Sequence, residues 1–356
     1  MKVSEKVLEM RKQRKIKQRI RQGIFTFLLA VVLLLIGVST YSDYVIGNDV
    51  SKTIQHSSET KCMEGFILGE DSDTVSVNTQ SYQKEEAPLI GEVANTLKED
   101  INSEYAIIVR EEDDMILLDK YASERMYPAS LTKMMTALVA LEHSKDLQTE
   151  YIVSNKIIAS LEERNASEAG FLPEERVRVI DLLYGVLLPS GAECCLTLAE
   201  NLAGSEEEFV NWMNEKAEEL GMKDTHFVNS TGLHDENHYS TAYDMAILLK
   251  EVTKQDLLRE IMGSKTHVVP PTNKHVDGIT MYNSLYTKME KEDSSYAYIL
   301  GGKTGYTSQA GLCLASFGKV DEKGYYVITA AANGNLRTKQ NNILDSLSMY
   351  SMLSKK

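Results

Sequence analysis

A chain of 356 residues, 43% hydrophobic and 25% charged, can bury a substantial core, and its length suits one large domain with appendages. That composition excludes a low-complexity or fibrous protein. The formal charge of −14 is unevenly placed: residues 1–23 hold nine Lys/Arg against Glu5 and Glu9, a net of +7, which leaves −21 for the rest, and so acidic a remainder would repel nucleic-acid phosphates.

The basic head runs into Ile24 to Ser42, an uncharged stretch close to the ~20 residues that a membrane-spanning helix requires. The positive-inside bias then places residues 1–23 in the cytoplasm and everything after Asp43 outside, a single-pass arrangement with an extracytoplasmic domain. A cleaved signal peptide is the main competitor. The long basic region and the lack of an Ala-x-Ala site after the apolar run favour an uncleaved anchor over residues 24–42.

Residues 43–99 are rich in Ser, Thr, Glu, Asp and Gln with little periodicity and read as an extracytoplasmic linker, with a short helix over Leu89 to Leu97. A folded domain over residues 100–356 follows. Four cysteines, Cys62, Cys194, Cys195 and Cys313, show neither a disulfide framework nor a metal spacing, and Cys194 and Cys195 fall in an apolar helical stretch where buried thiols are expected.

Order begins at Tyr105 to Val109, turns at Glu111 to Asp114 and returns through Met115 to Leu118, a hairpin pattern. Met134, Met135, Leu138, Val139 and Leu141 then recur at helical spacing, with Ser130 in the first turn and Lys133 on its face. A helical region is expected over roughly 155–220, with Ser205 to Glu208 in capping-box form and Gly204 and Gly221 at helix ends. Thr241 opens a helix running to about Val252. Strands resume at His267 to Val269, Ile299 to Leu300, Leu312 to Ala315 and Tyr325 to Ala332, and a helix closes the chain from about Gln340. Strands from both ends of the domain around a helical middle predict an α+β fold, one antiparallel sheet flanked by helices with a helical subdomain.

Ser130-Leu131-Thr132-Lys133 carries chemistry if Lys133 is sheltered. A serine hydroxyl is a poor nucleophile, and a lysine one turn on takes its proton only when burial or a nearby cation has lowered the amine's own pKa. By itself the spacing also fits a capped helix with a surface lysine. Lys303-Thr304-Gly305 sits between strand-like runs, with Thr307 to Gln309 as a polar turn, and Gly305 would let a substrate backbone lie close.

Three stretches in order, Tyr127 to Thr136 around Ser130 and Lys133, Leu187 to Gly191 around Ser190, and Gly301 to Thr307 around Lys303, resemble the low-molecular-weight penicillin-binding proteins, the serine D-alanyl-D-alanine carboxypeptidases of peptidase family S11. The likeness covers roughly residues 100–350 and includes His226 to Leu233 and Tyr239 to Ala246. It implies the DD-peptidase/β-lactamase-like fold and no cofactor or metal. It implies Ser130 as nucleophile, Lys133 as base and Ser190 as proton relay. Lys303 and Thr304 would hold the terminal carboxylate of a peptidoglycan pentapeptide, or lipid-linked precursor, ending in D-Ala-D-Ala. Gly305 would lie against the substrate, and the N–H groups of Ser130 and Tyr306 would form the oxyanion hole. β-Lactams would be covalent inhibitors.

Two departures stand out. The second motif is Ser190-Gly191-Ala192 where the family usually has Ser-x-Asn, so an amide that would contact the lysine and the substrate is missing. Many relatives also continue into a β-rich domain and a C-terminal amphipathic helix, a role the N-terminal segment would take here. A serine β-lactamase, a zinc D,D-peptidase built on His234 and His238, and a non-catalytic penicillin- or wall-binding module are the alternatives. No Glu-x-x-x-Asn around Thr225 to Thr231 supports the first, and Gly232 and Asn237 mark the histidine pair as lying in a loop.

Overall fold

The sheet is built from the two ends of the domain. Tyr105–Arg110 (β1) and Ile116–Lys120 (β2) pair antiparallel, and β1 pairs on its other edge with Lys323–Ala332 (β9), more than two hundred residues later. Gly311–Val320 (β8) and Ile299–Thr307 (β7) complete an antiparallel sheet in the order β2-β1-β9-β8-β7, leaving β7 at an edge. The computed structural model describes residues 101–354 apart from 163, 165 and 293–297; the expected anchor over 24–42, the linker over 43–99 and Cys62 lie outside the described residues.

Both faces of this sheet are covered, which is why β8 and β9 read as continuous apolar runs rather than alternating ones. Ile107, Cys313, Ala315 and Ile328 point into the larger core, shared with the helices of the domain's middle. Ala106, Ile108, Leu314 and Val327 point the other way, to pack with Ile343, Met349 and Tyr350 of the closing helix and with Leu285 and Met289. The closing helix also fixes the start of the domain, for Asp345 accepts hydrogen bonds from the Ser103 amide (2.7 Å) and hydroxyl (2.6 Å).

In chain order the helices are Lys133–His143 (α1), Asn155–Glu162 (α2), Val179–Leu187 (α3), Ala192–Ala203 (α4), Glu206–Glu219 (α5), Ala242–Lys254 (α6), Asp256–Gly263 (α7), Ser284–Lys291 (α8) and Asn341–Leu353 (α9). Their ends follow the expected chemistry. The Ser205 hydroxyl accepts from the Glu208 amide and the Thr241 hydroxyl from the Asp244 amide, and Gly204 closes α4 in the left-handed conformation.

One reading needs correction. The expected helical run over 155–220 is interrupted, since Glu150–Val153 (β3) pairs with Glu175–Arg178 (β4) between α2 and α3. Four-residue strands rich in Glu and Arg carry too little periodicity to be seen without their partner. The strand expected at 267–269 is present as Thr266–Val269 (β5), paired in a hairpin with Ile279–Tyr282 (β6), which the sequence reading did not name.

Candidate active site

Ser130 sits in a 3-10 turn, Ala129–Thr132, that feeds directly into α1. The hydroxyl therefore precedes the α-helix, where it was expected inside the first turn. The turn is tight: Ala129 has φ +47°, a left-handed conformation that costs a non-glycine residue about 1–2 kcal/mol. It is held from two sides. Gly305 of β7 lies so close that a β-carbon there would be 3.1 Å from the Ser130 amide nitrogen, and Gly232 touches the Ala129 carbonyl with no room for a side chain.

Lys133 opens α1 and is 2% exposed. Its amine lies 3.1 Å from Ser130 Oγ and 2.5 Å from the carbonyl oxygen of Thr231. Burial pulls its pKa below the ordinary lysine value, partly offset by the electrostatic influence of Cys195, Glu193 and Cys194. The surface-lysine reading of the spacing is thus wrong for this chain. Once deprotonated, the amine has a lone pair to take the serine proton while one of its hydrogens stays on the Thr231 carbonyl.

Ser190 occupies the turn between α3 and α4, also in the left-handed region with φ +70°. The segment 167–170 straps this turn down. Ser167 Oγ donates to the Ser190 carbonyl (2.6 Å), the Ala192 amide donates to the Ser167 carbonyl (2.8 Å), and Glu193 Oε1 accepts from the amides of Ala169 (2.6 Å) and Gly170 (2.9 Å). Glu193 Oε2 is buried without a hydrogen-bond partner, and burial pushes this carboxyl up to about 7.

Lys303, 1% exposed on β7, reaches across to donate to Ser190 Oγ and to the Thr304 carbonyl, both at 2.9 Å. Burial holds its pKa well below the ordinary value, with the amines of Lys133 and Lys288 adding to the effect. Thr304 turns its hydroxyl to α8, 3.0 Å from both Ser284 Oγ and Lys288 Nζ. Tyr306 follows Gly305 on β7, pairing with Leu312 of β8. The structure therefore brings Ser130, Lys133 and Gly305 together, and Ser190, Lys303 and Thr304 together.

Two expectations about neighbouring residues resolve physically. Ala192, where the usual amide is missing, packs against Ile157, Leu161 and Leu196 and is itself 1% exposed. His238 is buried, with Nδ1 accepting from the Val228 amide and Nε2 2.7 Å from Thr132 Oγ1, while His234 meets Tyr127 edge-on. Burial lowers His238 to about 4, so it is neutral and donates to Thr132, tying the 225–240 loop to the start of α1.

The comparisons with known proteins fall in line with this geometry. A family model described as D-alanyl-D-alanine carboxypeptidase, peptidase S11, matches residues 92–335. The chain belongs to this family. The D-alanyl-D-alanine carboxypeptidase DacF of Bacillus subtilis is 33% identical over 264 residues, which is 73% of this chain and 64% of that protein. DacA of Escherichia coli is 29% identical over 247 residues, 67% of this chain and 55% of that one. The chain thus spans between about half and two-thirds of the length of these curated relatives. The DD-transpeptidase of Streptomyces K15 superposes with a TM-score of 0.65 at 23% identity, over 71% of this chain and 98% of that one, a likeness of fold. Penicillin-binding protein 5 of Haemophilus influenzae gives a TM-score of 0.61 at 27% identity, over 71% of this chain and 70% of that one.

This S11 member carries site neighbours that sequence reading did not single out, Lys288, Ser284 and Glu193. Nothing in the local pattern marks them. Lys288 lies on a short charged helix and Glu193 in the first turn of a mostly apolar one, and both matter only through what the folded chain places beside them.

Proposed function

We propose that the chain is a serine D,D-carboxypeptidase that removes the terminal D-alanine from peptidoglycan peptides ending in D-Ala-D-Ala. One observation carries the reading: a buried lysine amine 3.1 Å from a serine hydroxyl, with its pKa lowered by burial. Ser130 Oγ attacks the carbonyl between the two D-alanines as Lys133 takes its proton. Ser190, held by Lys303, relays the proton taken up by Lys133 to the departing amine of the terminal D-alanine, which leaves Ser190 a hydroxyl and Lys133 neutral again. Water then hydrolyses the Ser130 ester, releasing the shortened peptide and restoring the hydroxyl.

The amides of Ser130 and Tyr306 are the candidate oxyanion donors, since Gly305 holds the β7 backbone against the Ser130 turn. The substrate's terminal carboxylate would lie at Lys303 and Thr304. β-Lactams, which carry a strained amide and a carboxylate, would acylate Ser130. Residues 24–42 would anchor the chain in the membrane with residues 100–356 outside, a reading supported by the uncharged stretch behind nine basic residues.

The test is acylation. Wild-type chain incubated with labelled penicillin should retain label on Ser130 and should release D-alanine from a D-Ala-D-Ala pentapeptide. Both activities surviving in Ser130→Ala would overturn the mechanism, and release of labelled product within seconds would point to a β-lactamase.

A further inference from the structure

The helix α8 lies directly against the candidate carboxylate-binding strand. The Ser284 amide donates to the Leu188 carbonyl (3.0 Å), two residues before Ser190, which fixes the helix start beside the Ser190 turn. Asn283 caps the helix by accepting from the Leu285 amide, and the Tyr286 hydroxyl donates to the Leu300 carbonyl of β7 (2.8 Å). A β-carbon on Gly302 would be 3.2 Å from the Leu285 side chain, so helix and strand are in full contact.

Ser284 and Lys288 are one helical turn apart and share a face, and both converge on Thr304 Oγ1 at 3.0 Å. Among the described residues no carboxylate pairs with Lys288. Burial, with a smaller contribution from Lys291, pulls its amine down to about 8, so the group is still mainly an ammonium at neutral pH. Lys303, on the same strand as Thr304, is buried while Lys288 is only partly so, and the Lys288 ammonium adds to the lowering of the Lys303 pKa that burial sets.

A partly buried ammonium at the Thr304 hydroxyl, with the buried Lys303 amine on the same strand, forms a site that an anion relieves. A hydroxyl that accepts from an ammonium must aim its own proton elsewhere, and the ammonium polarises that O–H into a stronger donor. We propose that Lys288 is a positioning residue for substrate selection: by donating to Thr304 Oγ1, with Ser284 Oγ donating to the same oxygen, it frees the threonine proton for a substrate acceptor and strengthens the grip of β7 on a free terminal carboxylate. The inference rests on the reading of Lys303 and Thr304 as the carboxylate site, and it makes this chain select peptides and β-lactams that carry the free acid.

The experiment measures second-order acylation of the full-length chain in detergent by a penicillin and by its methyl ester, which lacks the carboxylate charge. Lys288→Met should slow acylation by the acid about tenfold, the effect of losing one charge-assisted contact, and leave the ester rate within about threefold. With the peptide substrate the loss should fall on KM rather than kcat. Lys288→Arg, which keeps the charge, should restore the acid rate. Equal loss on acid and ester, or no loss on either, overturns the proposal; wild-type chain that forms no acyl-enzyme overturns the carboxypeptidase reading instead. If Lys288→Met does not fold, as judged by its thermal transition, Lys288→Gln serves for the same comparison.

Discussion

Gly232 and Ala129 meet backbone to backbone beneath the candidate nucleophile, and a β-carbon on Gly232 would collide with the Ala129 carbonyl. Gly232 also has φ +76°, and Ala129 is left-handed as well. The loop after Phe227 and the Ser130 turn therefore fit together only with glycine at 232.

Gly232→Ala should lose acylation and destabilise the domain by several kcal/mol, beyond the ~1–2 kcal/mol of the left-handed conformation alone. Gly204→Ala is the control, because Gly204 has φ +85° and nothing within 4 Å of a new β-carbon. It should show the backbone cost by itself. Thermal unfolding and penicillin labelling of both variants check this, and a Gly232→Ala protein that melts like the control would refute it.

Lys133→Met should reduce the acylation rate by about 10²–10⁴-fold, the usual effect of removing a general base, with the fold intact. Rapid-quench labelling measures it. A loss smaller than tenfold would assign the proton to another group.

Ala192→Asn, which writes the usual family residue back into the second motif, should not raise the acylation rate. It should cost about 1–3 kcal/mol, because its amide would enter the apolar contact with Ile157, Leu161 and Leu196. Denaturant unfolding alongside labelling rates decides the point. A faster and equally stable variant would show that the amide reaches the cleft.

Glu193 gives the stability a pH dependence of known sign. Burial raises its carboxyl from 4.5 to about 7. The folded state thus binds the proton more tightly than the unfolded state. The associated stability is fully present below pH 4.5 and is lost as pH rises through about 7, by roughly 3 kcal/mol at 1.36 kcal/mol per unit. Glu193→Gln, which still offers an oxygen to the amides of Ala169 and Gly170, should lack that decline. Unfolding free energies of both proteins from pH 4 to pH 8 test it; parallel curves would remove Glu193 as the cause.

The motifs around Ser130, Ser190 and Lys303 were legible because each is local, a few residues whose spacing sets which side chains share a face. The same holds for the caps at Ser205 and Thr241 and for the apolar runs of β8 and β9. The β3–β4 pair was not visible and only the first strand of β5–β6 was, since a four-residue strand shows itself through its partner. Lys288 gave no sign at all, being one charged residue on a charged helix.

What the sequence determined by itself was the chemistry available and its order along the chain: a serine one helical turn from a lysine, a second serine in a turn, a lysine on a strand followed two residues on by glycine. The tertiary structure decided whether those groups could act. It brought the Lys303 amine to Ser190 across 113 residues and the Thr231 carbonyl to Lys133 across 98. It removed water from both lysines and turned Ala192 into part of an apolar contact. Burial and approach are properties of the whole packed chain, because the solvent a group loses is displaced by residues far from it in sequence, and no window of neighbouring residues contains them.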